Sequence, residues 1–256
     1  IDKFMIPQKE IISQTAFYAV AVFIATVVEI PGRAMFQIVN PLVAKALNEN
    51  DQKGLDNLYK KSSLNLLIIS GLFFLLINLN IDPFYNLILD SSYSTAVLVV
   101  LIISISKLIL MSFGCGPAIL ATAKFYKITL PFSIMMAVSV YFLNDKLIDL
   151  YSLNGAAIST LIVISFFTLV KILYLKYKLK IQPYSYNTFK VFVLIVFLFF
   201  LINPINFGEN YMLEIIGKSI PVSITYILLV YQMKVSNEIN TLIKKTLSKF
   251  GLQKFS

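Results

Sequence analysis

Apolar residues run along this chain in long unbroken blocks separated by short polar stretches, and seven of those blocks approach the length of a membrane crossing. A crossing takes about 20 mostly apolar residues, each rising 1.5 Å along a helix. By that ruler the pattern predicts spans over Ala16–Val43, Leu64–Leu79, Thr95–Phe113, Phe125–Leu143, Leu153–Tyr174, Phe189–Ile205 and Tyr211–Met233. The second and sixth are short, and the third can run on toward Ala121 past Gly114, Gly116 and Pro117. Strands of a membrane barrel alternate apolar and polar residues, which runs such as Val97–Ile103 do not. The fold expected is therefore all-α, a polytopic transmembrane helix bundle of about seven spans.

The polar stretches carry an ordered pattern of charge. Lys45, Lys53, Lys60 and Lys61 follow the first block, and Asp82 and Asp90 follow the second. Lys124 and Lys127 come after the third, and Asp145 and Asp149 around Lys146 after the fourth. Lys171, Lys176, Lys178, Lys180 and Lys190 surround the end of the fifth with no acid among them, and Glu209 and Glu214 follow the sixth. Lysine-rich and acidic connections alternate. The positive-inside rule then places the Lys45–Lys61 connection and the C-terminal tail in the cytoplasm, with Ile1–Thr15 outside. A first segment that lies outside without a signal peptide is expected to follow an upstream crossing, making this the C-terminal portion of a longer membrane protein. The alternative is an N-out protein inserted without a signal. In the tail, Lys234–Ser256, the residues Ile239, Leu242, Ile243, Leu247 and Phe250 recur at helical spacing, with Lys244, Lys245 and Lys249 between them and Lys254 beyond. That is the pattern of a basic amphipathic helix lying on an anionic membrane surface.

Composition agrees. Apolar residues fill 58% of the 256 positions and charged ones 14%, too little polar surface to keep a folded chain in water. The formal charge of +9 would raise nucleic acid as a partner in a soluble protein. Here the basic residues follow the loops, so membrane lipid is the expected partner and nucleic acid is not. The single cysteine, Cys115, excludes an internal disulfide, and the absence of histidine removes the commonest general base and metal ligand. No cofactor or metal is expected.

Charges inside a span cost roughly 2.5–3.5 kcal/mol each on insertion scales, so each needs a reason. The first block holds Glu29, Pro31, Arg33, Gln37, Asn40 and Pro41. Glu29, Arg33, Gln37 and Asn40 recur at steps of four, four and three, which puts them on one helix face. Glu29 and Arg33 are spaced to pair. Pro31 lacks an N–H and frees the Val27 carbonyl, so a bend is expected there, and Pro41 is a second candidate hinge. Two readings of this face compete. It can line a hydrated cavity in which Arg33 binds an anion such as a diphosphate, or Glu29 and Arg33 can form a buried pair that fixes helix packing. Lys107, within the third block, is the other charge read as intramembrane. It can add to the same cavity or snorkel to the interface. Asn78, Asn80 and Asp82 are expected to solvate a helix end, and Asn154-Gly-Ala-Ala157 reads as a close-packing signal.

The stretch Tyr18–Ala44, with Glu29-Ile-Pro-Gly-Arg33 at its centre, resembles a signature of bacterial polysaccharide-biosynthesis membrane proteins. These are the O-antigen (Wzx-type) flippases of the multidrug/oligosaccharidyl-lipid/polysaccharide exporter superfamily. Asp56-Asn-Leu-Tyr-Lys-Lys-Ser-Ser63, the region Gly114–Lys127 and Leu153-Asn-Gly-Ala-Ala-Ile-Ser-Thr160 are similar to later parts of the same family. The likeness runs from about Ile1 to Pro183; the last two spans match in hydropathy alone. The resemblance implies two MATE-like lobes rocking around a central cavity to carry a lipid-linked oligosaccharide between leaflets of the bacterial inner membrane. On that reading residues 1–183 form the core of the second lobe, 184–233 add two spans and 234–256 form the basic cytoplasmic tail. The partners implied are the undecaprenyl-diphosphate-linked oligosaccharide and a separate N-terminal lobe. No substrate contact follows from the resemblance, so Arg33 and Lys107 rest on their chemistry.

Two other functions compete with flipping. A drug or metabolite antiporter of the same superfamily would favour acids within the membrane, and the core charges weighed for cargo are one acid, Glu29, against Arg33 and Lys107. A membrane enzyme of polysaccharide synthesis would want a histidine, paired carboxylates or a metal cluster, none of which the pattern assembles.

Overall fold

A computed structural model describes residues 1–89, 91–122, 125–208 and 210–249, apart from the side chains of residues 3, 91, 247 and 249. Asp90, Lys124, Glu209, Phe250 and Lys254, used above to read orientation and the tail, lie outside the described residues. All the regular structure described is helical, with no strand among the described residues. The helices are α1 (Asp2–Lys9), α2 (Ile12–Ala25), α3 (Ile30–Asn48), α4 (Gln52–Asn78), α5 (Ile81–Ile88), α6 (Val97–Ser112), α7 (Gly116–Ala121), α8 (Tyr126–Leu179), α9 (Tyr186–Ile202), α10 (Tyr211–Gln232) and α11 (Asn237–Lys249).

Among the described residues, five continuous helical stretches are long and apolar enough to cross a membrane: Ile12–Asn48, Gln52–Asn78, Ser92–Ser112, Tyr126–Leu179 and Tyr211–Gln232. Tyr186–Ile202 is apolar but shorter. The seven apolar blocks all fall on helix, and two of them share α8. At 54 residues that helix would be about 80 Å long if straight, far beyond one bilayer. It breaks at Ser152, whose φ of 51° and ψ of −131° are not helical. Beyond the break the chain folds back: Lys171 Nζ lies 3.8 Å from Met136 Sδ, and the Phe132 and Tyr174 rings are 6.3 Å apart. The two arms form an antiparallel hairpin. Gly155 makes its closeness possible, since a Cβ there would fall on the Leu147 carbonyl oxygen. The sequence placed a loop between Leu143 and Leu153; instead the first arm stays helical through Tyr151, and Lys9 of α1 pairs with Asp145 and Asp149 at 2.8 and 2.9 Å.

The third span does not run on to Ala121. It ends at Ser112, and the chain turns through Gly114 at φ +58° before the short α7. A Cβ at 114 would lie 2.6 Å from the Ser63 backbone nitrogen, so the turn is seated directly on α4. Ser62 Oγ accepts from the Cys115 N–H at 2.9 Å and Ser63 Oγ donates to the Ser112 carbonyl at 2.6 Å. These bonds satisfy backbone groups that the broken helix leaves free.

Helices α4 and α6 form the centre, with α2 and α3 on one side and α9 and α10 on another. One core cluster joins α4, α9 and α10 around Leu75, Leu198 and Val222. A second joins α1, α2, α6 and α8 around Tyr18, Ala21 and Ile103, and a third joins α3, α4, α7 and α8 around Val43, Tyr59 and Ile119. The outward surface carries Phe23, Phe166, Phe197, Phe200 and Ile224, each more than half exposed. A surface of this kind is stable against hydrocarbon rather than water.

Helix α4 begins twelve residues before the predicted block. Asp51 caps it by accepting from the Gly54 N–H at 2.9 Å, and its polar first turns continue the same helix out of the apolar region. At the far end Asn78 and Asn80 are not solvated as expected. Both are buried, donating to the Phe74 and Leu76 carbonyls at 2.9 and 2.7 Å.

The tail helix α11 is clasped to α4: Lys61 pairs with Glu238 at 2.6 Å and Ser236 Oγ donates to Asn65 Oδ1 at 2.6 Å. The Lys61 ammonium holds the Glu238 carboxyl below its usual 4.5 against a smaller opposing effect of burial. A depressed carboxyl contributes docking free energy above its unfolded value, and that contribution is lost as pH falls through the lowered one. Spin labels on α4 and α11 should therefore report a docked tail at neutral pH and its release in acid, below the ordinary carboxyl range. Glu238→Gln should weaken docking at neutral pH and flatten that acid transition; an unchanged profile would rule out the clasp.

Candidate functional site

The polar face of the first span is built around a local change of helix type. Thr26–Glu29 forms a 3-10 turn between α2 and α3, and Pro31 stands in the first turn of α3. The Val27 carbonyl that Pro31 cannot serve is taken by the Ile30 N–H three residues on, the bond of a 3-10 turn. The expected interruption is present, just ahead of the proline. Pro41 lies inside α3 without ending it.

Glu29 ends this turn, four residues ahead of Arg33, yet the two do not pair. Glu29 pairs instead with Lys107 of α6, Nζ to Oε2 at 3.0 Å, with about a fifth of each side chain exposed. Lys107 does not snorkel to the interface; it closes the gap between α3 and α6. Gly32 permits the approach, since a Cβ there would meet Met111 Sδ at 2.8 Å. Arg33 forms no ion pair among the described residues. With Gln37 and Asn40 it is exposed, and a shallow cavity of about 170 Å³ lies between Glu29, Arg33, Phe36, Leu110, Met111 and Pro117. The site thus holds a neutralised pair and one uncompensated guanidinium, which presents a planar fork suited to phosphate oxygens.

Breaking a buried ion pair by removing one partner costs about 3–5 kcal/mol, less where the pair is partly wet. Lys107→Met should destabilise the detergent-solubilised protein by about 2–3 kcal/mol, and adding Glu29→Met should restore most of that loss. Equal loss in the single and double variants would show that Lys107 acts through its packing.

Two polar clusters had no counterpart among the sequence candidates. The Asp2 carboxylate accepts from Tyr18 Oη at 2.8 Å, Thr160 Oγ1 at 2.9 Å and Asn144 Nδ2 at 2.7 Å. It ties α1, α2 and both arms of α8 together beside a cavity of about 380 Å³. Nothing in the spacing joins residues so far apart, and Asp2 sits in a stretch that reads as a charged loop. Near the end of α4, Lys218 of α10 is buried and pairs with Glu214 at 2.7 Å, while Asn80 donates to Ser219 Oγ at 3.1 Å. Asp82 faces this pair. Partial burial raises its carboxyl above the usual value, Lys218 draws it down and Glu214 raises it again. The four-residue spacing of Glu214 and Lys218 was a visible signal, masked because Glu214 reads as a loop acid.

No family model, curated protein or solved structure matches the chain. The functional reading therefore rests on the geometry of the α3–α6 face and on the chemistry of the residues there.

Proposed function

We propose that this chain moves a lipid-linked oligosaccharide carrying a diphosphate across the bacterial inner membrane, as one helical lobe of a two-lobed alternating-access carrier. The observation that carries the reading is Arg33: an exposed, unpaired guanidinium near the middle of a 37-residue apolar stretch. Facing lipid, such a charge would cost roughly 2.5–3.5 kcal/mol. Facing a hydrated path, it costs little and attracts an anion. Gln37 and Asn40 extend the polar stripe along α3 with hydrogen-bonding groups suited to sugar hydroxyls. A second lobe across that stripe would enclose the path, and the 3-10 turn at Thr26–Glu29 would give its wall a place to bend.

The Glu29–Lys107 pair favours an anionic cargo over a cationic drug. The one acid on this face is already neutralised, so it has no free carboxylate to offer a cation. Translocation needs no bond to form or break, which fits a face without an assembled acid–base pair. The alternation of lysine-rich and acidic connections supports about seven crossings with α11 on the cytoplasmic side.

Deleting the gene should leave lipid-linked repeat units on the inner leaflet and strip the cell of the corresponding surface polysaccharide. Normal surface polysaccharide in the deletion strain would refute the function.

A further inference from the structure

A groove of about 410 Å³ runs between α4, α10 and α11. Its lining is apolar except for Tyr226 and Thr246, and both hydroxyls are already engaged. Tyr226 Oη donates to the Ile68 carbonyl at 2.9 Å, and Thr246 Oγ1 donates to the Leu242 carbonyl at 3.0 Å. A peptide laid here would leave its backbone N–H and C=O groups without partners, at a cost for each one buried. Hydrocarbon carries no such groups. The volume lies within the usual range of ligand sites, roughly 300–1,000 Å³.

The rim supplies the second half of the argument. Helix α11 is clasped to α4 through Lys61–Glu238 and Ser236–Asn65 at its start, while Leu242, Ile243 and Thr246 further along line the groove. Lys245, three residues on from Leu242 and so next to it on the helix surface, stands at the edge of that lining, exposed and without an acid partner among the described residues; Lys244 lies on the helix face turned away from the groove. An apolar slot beside a free ammonium group is complementary to a molecule with a hydrocarbon chain and an anionic head.

We propose that this groove binds an anionic phospholipid, with one acyl chain along Ile68, Leu72, Val230 and Ile239 and its phosphate at Lys245. The site is separate from the α3–α6 face, and its occupancy does not depend on what that face transports. Bound lipid would bridge α4, α10 and α11, fixing the tail helix where the polar clasp leaves it free. A lysine near a charged membrane surface favours an anionic head over a zwitterionic one by about fivefold. That preference should shrink as salt is raised.

The chain has no tryptophan, which makes a single introduced one a clean reporter. Leu242→Trp and Ile69→Trp place it on opposite walls of the groove, and Phe200→Trp places a control on the open face of α9. The variants are reconstituted in vesicles containing brominated phosphatidylglycerol or brominated phosphatidylcholine at equal mole fraction. Both groove reporters should be quenched at lower amounts of the anionic lipid, and Lys245→Gln should bring the two lipids together. The control should show no preference. Equal quenching by the two lipids in the groove would overturn the proposal. So would relief of quenching by a polyprenyl phosphate at concentrations where added phosphatidylglycerol gives none, because the occupant would then be a polyprenyl chain. Native mass spectrometry of the chain without introduced tryptophan provides the check independent of reporter folding. Retained phosphatidylglycerol, reduced in the Lys245→Gln variant, supports the site; no retained anionic lipid contradicts it.

Discussion

Gly155→Ala should be the most damaging single-methyl change in the protein. The added Cβ falls on the Leu147 carbonyl oxygen, and the obstacle is backbone, which cannot swing aside as a side chain can. The two arms of α8 must separate, and with them the contacts of Ala156 and Ala157 in the core shared with α1, α2 and α6. Overpacking in a core costs about 1–3 kcal/mol where side chains can adjust; here the expected loss lies at or above the upper end. A thermal unfolding curve in detergent should shift strongly downward, with Gly155→Ser as bad or worse. An unshifted curve would mean that the arms do not close at Gly155. Ala157→Gly, which removes a methyl without adding one, should cost less.

Arg33→Gln should produce the second large effect, this time on transport and not on stability. The guanidinium is exposed and unpaired, so its removal leaves no buried partner orphaned and the protein should accumulate normally in the membrane. A hydrogen bond to a charged group contributes about 1.5–3 kcal/mol, which corresponds to a loss of about tenfold to a hundredfold in translocation. Arg33→Lys keeps the charge but loses the planar fork and should fall between. Full transport by Arg33→Gln at normal abundance would remove Arg33 from the path. Loss of abundance in proportion to transport would make its role structural.

The helical class was readable because unbroken apolar runs leave strands no alternation to use. Boundaries were less so. The charged residues Asp145, Lys146 and Asp149 read as a loop, yet the first arm of α8 carries them on its last turns, where Lys9 of a distant segment meets two of them. Likewise Lys53, Asp56, Lys60 and Lys61 read as the connection ahead of the second block, while α4 runs through them. Hydropathy marks where lipid stops, not where a helix stops.

The candidate face was half legible. Spacing gathered Glu29, Arg33, Gln37 and Asn40, and Pro31 marked an interruption within a turn of where it occurs. The partner of Glu29 was not legible, because Lys107 lies on another helix 78 residues away. The same limit hid the Asp2 cluster, whose four side chains come from α1, α2 and the two arms of α8. Sequence spacing reports neighbours along one helix. Pairs between helices depend on how the helices are stacked.

The central claim is that the exposed stripe of α3 meets water within the membrane. The one native cysteine, Cys115, is fully buried, so cysteines placed singly at Arg33, Gln37 and Asn40 can be labelled against a silent background. In intact membranes, as part of the full protein, these three positions should react with a charged, membrane-impermeant thiol reagent once it reaches the open side. Cysteines at Phe23 and Ile38, exposed by 74% and 67%, should resist it because they face hydrocarbon. If Arg33→Cys proves as unreactive as Ile38→Cys from both sides of the membrane, the stripe does not line a hydrated path.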